Sequence, residues 1–143
     1  MARQVSVTDA AELMKQGWRY LDVRSVPEFE QGHPAGAANV PLLHAQDGGR
    51  MVSNPDFEAV MTANFPRDQK LLVGCKTAGR SAQATAILEA LGYREVILVR
   101  GGYTGERDMY GRATAPGWAA AGLPTATADS EGTSYAALQG PRP

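Results

Sequence analysis

Strands and helices alternate along this chain, which predicts an α/β fold on a mainly parallel five-stranded sheet with helices on both faces. Three observations carry the prediction. Short apolar runs at 20–23, 70–74 and 96–99 have strand length; the segments between them place apolar residues at helical spacing; and glycine or proline punctuates the junctions. A sheet covered on both faces needs strands that are mostly apolar, and these runs are, apart from Asp22 and Lys70.

In order, residues 5–7 predict a short edge strand. Thr8 N-caps a helix to about Gln16 that turns Ala11 and Met14 inward, and Gly17 ends it. The buried strand at 20–23 leads to Ser25 and Glu28, spaced as a capping box around Pro27 for a short helix to Gln31. Gly32, Pro34 and Gly36 then turn the chain into a third strand at 38–40. Asn54 and Pro55 open a helix to about Asn64 with Phe57, Val60 and Met61 inward. The strand at 70–74 feeds a helix from about Arg80 to Leu91. Its apolar stripe is read as Ala82, Ala86, Leu88 and Leu91, thickened by Ala84, Ile87 and Ala90, and Gly92 stops it. The fifth strand is 96–99.

Length and composition fit one domain, 1–124, followed by a tail. The chain has 143 residues, 43% hydrophobic and 20% charged, enough for a single core. From Thr125 to Pro143 small and polar residues dominate, which predicts a flexible tail unable to offset the entropy of ordering. Fourteen basic against fifteen acidic side chains give a net charge of −1, so nucleic acid is not an expected partner. No apolar run approaches the roughly 18 residues of a membrane span, and the N-terminus shows no secretory apolar segment, so a cytoplasmic location without membrane attachment is expected. One cysteine allows no internal disulfide, consistent with a reducing compartment, and no Cys or His cluster suggests a metal. No cofactor is expected.

That cysteine is the candidate nucleophile. Cys75 ends an apolar run and opens CKTAGRS, which leads into a helix, the place where open α/β sheets keep their sites. Only a thiolate attacks, and a free cysteine titrates near 8.5, so neighbouring groups must favour the anion. The low-bulk stretch Lys76, Thr77, Ala78, Gly79, Arg80 and Ser81 can turn amide N–H groups inward as an anion nest, with two cations and a helix start beside it. The competing reading is a buried small hydrophobe at a strand end. An exposed thiol here, with no resolving cysteine, would be open to oxidation toward sulfinic acid.

CKTAGRS resembles the active-site loop of the rhodanese, or sulfurtransferase, superfamily in its single-domain form. Upstream, LDVRSVPEFEQGHPAGAANVP is similar to the family's first signature; downstream, VILVRGGY, with GW and AGLP later, is similar to its second. Together these segments span most of the chain from Val5 to Pro124. The resemblance implies a rhodanese-like three-layer fold with the catalytic loop at the end of a central strand. It implies Cys75 as the residue that carries sulfur as a persulfide, with 76–81 as the substrate loop. A small anionic donor such as thiosulfate, a thiol or cyanide acceptor, and a sulfur-relay protein partner follow from it as expectations.

The same fold carries cysteine-dependent phosphatases and related arsenate reductases. Those resemble one another in having five residues between cysteine and arginine, whereas Lys76, Thr77, Ala78 and Gly79 make four here, and Gly74 stands where a histidine often precedes the phosphatase cysteine. A ring shorter by one residue, about 3.3 to 3.6 Å of contour, suits a single sulfur better than a cradled phosphate.

Supporting roles are assigned around this loop. Arg80 is expected to brace it through Asp22 or Glu28; Lys76 is either a donor-attracting cation or a solvated side chain. Asp22, Arg24 and Glu28 are read as mainly structural, with Arg24 also a candidate contact for a donor anion. His33, in a tight turn, is expected to satisfy backbone groups, and His44 lies in a polar stretch. The resemblance breaks at about 103–117, where TGERDMYGRATAP separates GGY from Gly117 and Trp118. With Tyr103, Arg107, Tyr110 and Arg112, this insert is expected either to rim Cys75 as a lid or to be an exposed excursion.

Overall fold

The computed structural model describes residues 3–46, 50–75, 79–127 and 133–139. Along the chain run β1 (Arg3–Val5), α1 (Val7–Lys15), β2 (Arg19–Asp22), α2 (Val26–Gln31), β3 (His33–Pro34), β4 (Ala38–Asn39), β5 (Leu43–Ala45) and β6 (Met51–Ser53). There follow α3 (Phe57–Asn64), β7 (Leu71–Gly74), α4 (Gly79–Ala90), β8 (Val96–Val99), β9 (Glu106–Arg107), β10 (Ala113–Ala115), β11 (Thr125–Ala126) and α5 (Tyr135–Gln139).

The main sheet has the order β1-β8-β7-β2-β4, and all its pairings are parallel. β7 and β8 are buried at every position, as strands covered on both faces must be. Period-two alternation divides the core. Leu21, Leu71, Val73 and Val96 face one side with α3 and α4, while Tyr20, Leu72, Ile97 and Val99 face the other with Val7, Ala10 and Trp118. The register sets Asp22 level with both Gly74 and Asn39, so three strands end together where Cys75 begins its loop.

Two helices differ in register from the sequence expectation. α1 is capped by Ser6, whose Oγ accepts from Asp9 N at 3.2 Å, and its buried residues are Val7 and Ala10; Ala11 and Met14 are half-buried. Ser6 and Thr8 are comparable caps by type, and the choice falls to Ser6 because it lets Val7 reach the core. In α4 the buried face is Ser81, Ala84, Thr85 and Leu88, while Ala82, Ala86 and Ala90 are exposed. Alanine tolerates either side, and Thr85 is accommodated inside because its Oγ1 donates to Ser81 O at 2.7 Å.

The expected flexible tail is corrected for the residues described. β11 pairs with β3, and α5 packs Tyr135, 5% exposed, into the core. Asn39 N donates to Thr133 O at 2.9 Å at the sheet edge, Asn54 Nδ2 donates to the Tyr135 hydroxyl at 3.1 Å, and Asn64 Nδ2 donates to Leu138 O at 2.8 Å. A composition averaged over the tail hides that its one aromatic and its one leucine share a single turn of helix, which offsets the ordering cost.

Candidate active site

Cys75 follows β7 directly, and α4 starts four residues later at Gly79. Ser81, in the first turn of α4, reaches back to the sulfur. Its N–H donates to Cys75 Sγ at 3.3 Å, and the thiol lies 3.4 Å from Ser81 Oγ, to which it donates. Once ionised the sulfur would accept from both, at the positive end of a 12-residue helix. Lys76, Thr77 and Ala78, expected to complete the nest, lie outside the described residues.

Cys75 is 2% exposed and belongs to the same core cluster as Val73 and Ala84. This corrects the expectation of an exposed thiol: the β7 register turns its side chain toward the α3/α4 side. A buried sulfur is shielded from bulky reagents.

Arg80 is braced as expected, and Glu28 is its partner. Arg80 Nη1 donates to Glu28 Oε1 at 2.6 Å and Nη2 to Oε2 at 3.0 Å. The same carboxylate closes the capping box of α2, accepting from Ser25 N at 3.1 Å and Ser25 Oγ at 2.8 Å. Burial pushes the Glu28 carboxyl up, but the donors from Arg80 and Ser25 outweigh it and bring it to about 2. Arg80 is raised chiefly by its bonds to Glu28.

Asp22 pairs instead with Arg24, both buried. Arg24 Nε donates to both Asp22 oxygens at 3.0 and 3.1 Å, and Nη2 donates to Asp22 Oδ2 at 2.7 Å and to Gly32 O at 2.6 Å. Burial pulls the guanidinium down, yet Asp22 more than restores it, so its pKa is raised. Asn39, quoted in the signature but given no role there, ties this corner: its Nδ2 donates to Asp22 O at 3.0 Å and Arg24 O at 2.9 Å. Only its place at a strand end within the signature could have marked it. His33 keeps its structural role, with Nδ1 2.6 Å from Phe29 O and its ring stacked on Phe29 at 3.5 Å. His44 lies in β5, its ring 5.6 Å from that of Tyr135.

Tyr20 is a further residue the sequence did not single out. Its hydroxyl passes over Gly74, where an added Cβ would overlap it. Burial, then Asp22, raises the Tyr20 pKa well above its ordinary value. Gly74 therefore has a steric cause.

The insert is hung on one point. Trp118 N donates to Gly102 O at 2.9 Å, so the chain departs after Gly102 and returns beside it, which keeps the GG and GW halves of the interrupted signature together. Gly101 makes the departure at φ +88, with Pro116 O filling the space of a side chain. At the root, Tyr103 N donates to Cys75 O at 2.8 Å and the Tyr103 ring lies over the Arg24 guanidinium, 4.4 Å to the centroid. Beyond it β9 and β10 form a hairpin whose tip is exposed, Met109 at 87% and Tyr110 at 75%. Arg107 falls in β9, and Arg112 is exposed and pairs with Asp108 at 3.3 Å. Root and tip thus divide the two expectations: the root touches the site, the tip stands in solvent.

A cavity of about 290 Å³ opens beside this root, lined by Arg24, Glu28, Gln31, Gly32, Tyr103 and Thr104. Among the described residues no group of three or more His, Cys, Asp or Glu could hold a metal, and no helix is long and apolar enough to cross a membrane.

A sequence model of the Rhodanese-like domain matches residues 6–106. The chain is 42% identical over 121 residues to thiosulfate sulfurtransferase 16, chloroplastic, of Arabidopsis thaliana, covering 85% of this chain and 90% of that protein. It is 37% identical over 99 residues to rhodanese-like domain-containing protein 15, chloroplastic, of the same plant, covering 69% of this chain but only 54% of that one. Among solved structures, Rv0390 from M. tuberculosis superposes with a TM-score of 0.73 at 24% identity, over 89% of this chain and 98% of that one, a likeness of fold.

Proposed function

Because the chain belongs to the rhodanese-like domain family, we propose that it is a sulfurtransferase that moves a sulfane sulfur from thiosulfate or a persulfide donor to cyanide or a thiol through Cys75. The observation that carries this reading is the Ser81 N–H that donates to Cys75 Sγ at a helix start, with the Ser81 hydroxyl, which accepts from the thiol, beside it. A relative named thiosulfate sulfurtransferase, 42% identical, supports it.

The chemistry needs no outside oxidant. The Cys75 thiolate attacks the outer sulfur of thiosulfate; a carbon-bound S–S bond forms, the S–S bond of the donor breaks, and its electron pair leaves with sulfite. An acceptor anion then attacks the outer sulfur of the persulfide and Cys75 leaves as thiolate, giving thiocyanate from cyanide or a new persulfide from a thiol. Each attacking group reacts as its anion, so the attack itself needs no general base, and His33 is engaged with Phe29 O instead. The Ser81 N–H lowers the energy of the persulfide anion as an oxyanion hole does for oxygen. Four residues between Cys75 and Arg80, and a Gly74 that has no room for a side chain, weigh against phosphatase or arsenate-reductase chemistry.

Delivery from a partner protein is a second reading, favoured by the exposed Met109 and Tyr110 on a hairpin rooted at Cys75 through Tyr103. A lone cysteine with no disulfide suits the reducing cytoplasm. Intact mass after incubation with thiosulfate tests the main reading: one added sulfur that cyanide removes is expected, absent in Cys75→Ser. Loading by a protein persulfide but not by thiosulfate would favour the partner route, and loading by neither would overturn both.

A further inference from the structure

We propose that the cavity between Arg24 and Tyr103 holds the carboxylate of a small thiol acceptor, so that Tyr103 and Gln31 set acceptor specificity. The proposal rests on the sulfur-transfer reading and adds to it the substrate's non-reacting end.

The first support is the unused part of a buried guanidinium. Arg24 is 4% exposed, and Asp22 and Gly32 take its Nε and Nη2, but Nη1 enters none of these bonds. Arg24 nonetheless lines the cavity, which leaves Nη1 as the nitrogen it offers there. Asp22 holds this fork from behind and Asn39 ties the Arg24 carbonyl, so the fork is oriented before any ligand arrives.

The second support is the wall chemistry. Glu28 already accepts four hydrogen bonds from Arg80 and Ser25, so its carboxylate is committed. Exposed Gln31 and the phenol of Tyr103, seated over Gly32, add uncharged hydrogen-bonding groups. A guanidinium donor with neutral amide and phenol neighbours suits a carboxylate better than a cation or an apolar group.

Size and place leave room for an organic acceptor. At about 290 Å³ the space equals roughly ten water volumes of ~30 Å³, well beyond a five-atom ion such as thiosulfate. The cavity is joined to the sulfur through one ion pair and one backbone bond: its Glu28 wall grips Arg80 beside Ser81, and its Tyr103 wall donates to the Cys75 carbonyl. In the proposed complex a molecule anchored at Arg24 lies on the Glu28 side of this link, with its thiol directed toward Cys75.

The test loads the full chain with sulfur from thiosulfate and measures transfer to 3-mercaptopropionate and to its uncharged amide. Their kcat/KM ratio cancels differences in loading. A ratio of at least fivefold in favour of the carboxylate is expected, falling to about one or inverting in Gln31→Glu, a change at an exposed position that sets a like charge at the rim. Binding is read separately, on unloaded protein, from amide shifts of Gly32, Tyr103 and Thr104 titrated with 3-(methylthio)propionate, which cannot accept sulfur. Saturable shifts with the carboxylate and none with its amide support the site even if thiosulfate fails to load Cys75, an outcome that would overturn the proposed donor chemistry alone. A ratio near one in the wild type with loading intact, or the same shifts saturated by thiosulfate instead, would overturn the acceptor site.

Discussion

Arg80 and Glu28 face each other across the site as a two-pronged pair, 2.6 and 3.0 Å, and that single carboxylate also caps α2. The helix that follows the nucleophile and the helix that follows β2 are therefore locked by one group. Exposures of 16% and 24% place the pair between surface and core, where removing one partner leaves the other poorly solvated.

Replacing Arg80 with alanine should cost about 1 to 3 kcal/mol of stability and lower kcat/KM for thiosulfate at least tenfold. Denaturant melts and cyanide-linked kinetics check the two effects separately. In a double-mutant cycle with Glu28→Gln the stability losses should fall short of their sum, since both changes break one contact.

The pair also predicts a pH dependence. Glu28 is depressed from 4.5 to about 2, so the folded state binds its proton less readily than the unfolded chain. Its contribution should be complete above about pH 4.5 and fade as pH falls toward 2. Melts of wild type and Glu28→Gln should differ by a constant amount from pH 5 to 7 and converge in acid; a gap that widens below pH 4 would contradict the assignment.

Ser81→Ala removes a hydroxyl from the sulfur but keeps the backbone N–H that also reaches it. Persulfide formation in a single turnover should slow about 5- to 20-fold, consistent with the loss of one hydrogen bond of about 1 to 2 kcal/mol. Circular dichroism should be unchanged. A full loss would mean that the hydroxyl is the main stabiliser of the anion, contrary to the shared role drawn above.

Tyr135→Ala should destabilise the whole domain by about 2 to 4 kcal/mol, because a buried ring and its link to Asn54 disappear. Equilibrium urea unfolding measures it. A change below about 0.5 kcal/mol would return α5 to the status of an unanchored tail.

The central strands were legible because burial on both faces leaves a largely apolar record, and 96–99 matches β8 residue for residue. The edge strand expected at 5–7 lies instead at Arg3–Val5, because Val7 is taken into the buried face of α1. The capping box at Ser25 and Glu28 was equally plain, since its two side chains interact locally. What escaped was decided at a distance. The buried face of α4 turns on alanines that fit either side, and the choice of Glu28 over Asp22 for Arg80 depends on Arg24 occupying Asp22 first. Tyr20 and Asn39 act through strand neighbours far away in sequence, and Tyr103 gains its place only because the insert closes on Trp118. Tyr135 was masked by the polar residues around it.

The overlap between Tyr20 and any side chain at Gly74 reaches beyond packing. A descendant of this chain could not acquire a residue ahead of its nucleophile in one step; the phenol two strand positions before Asp22 would first have to shrink. Exploring other chemistries on this scaffold, whether by drift or in the laboratory, would thus demand a paired exchange at 20 and 74, with the order of the two changes fixed by sterics.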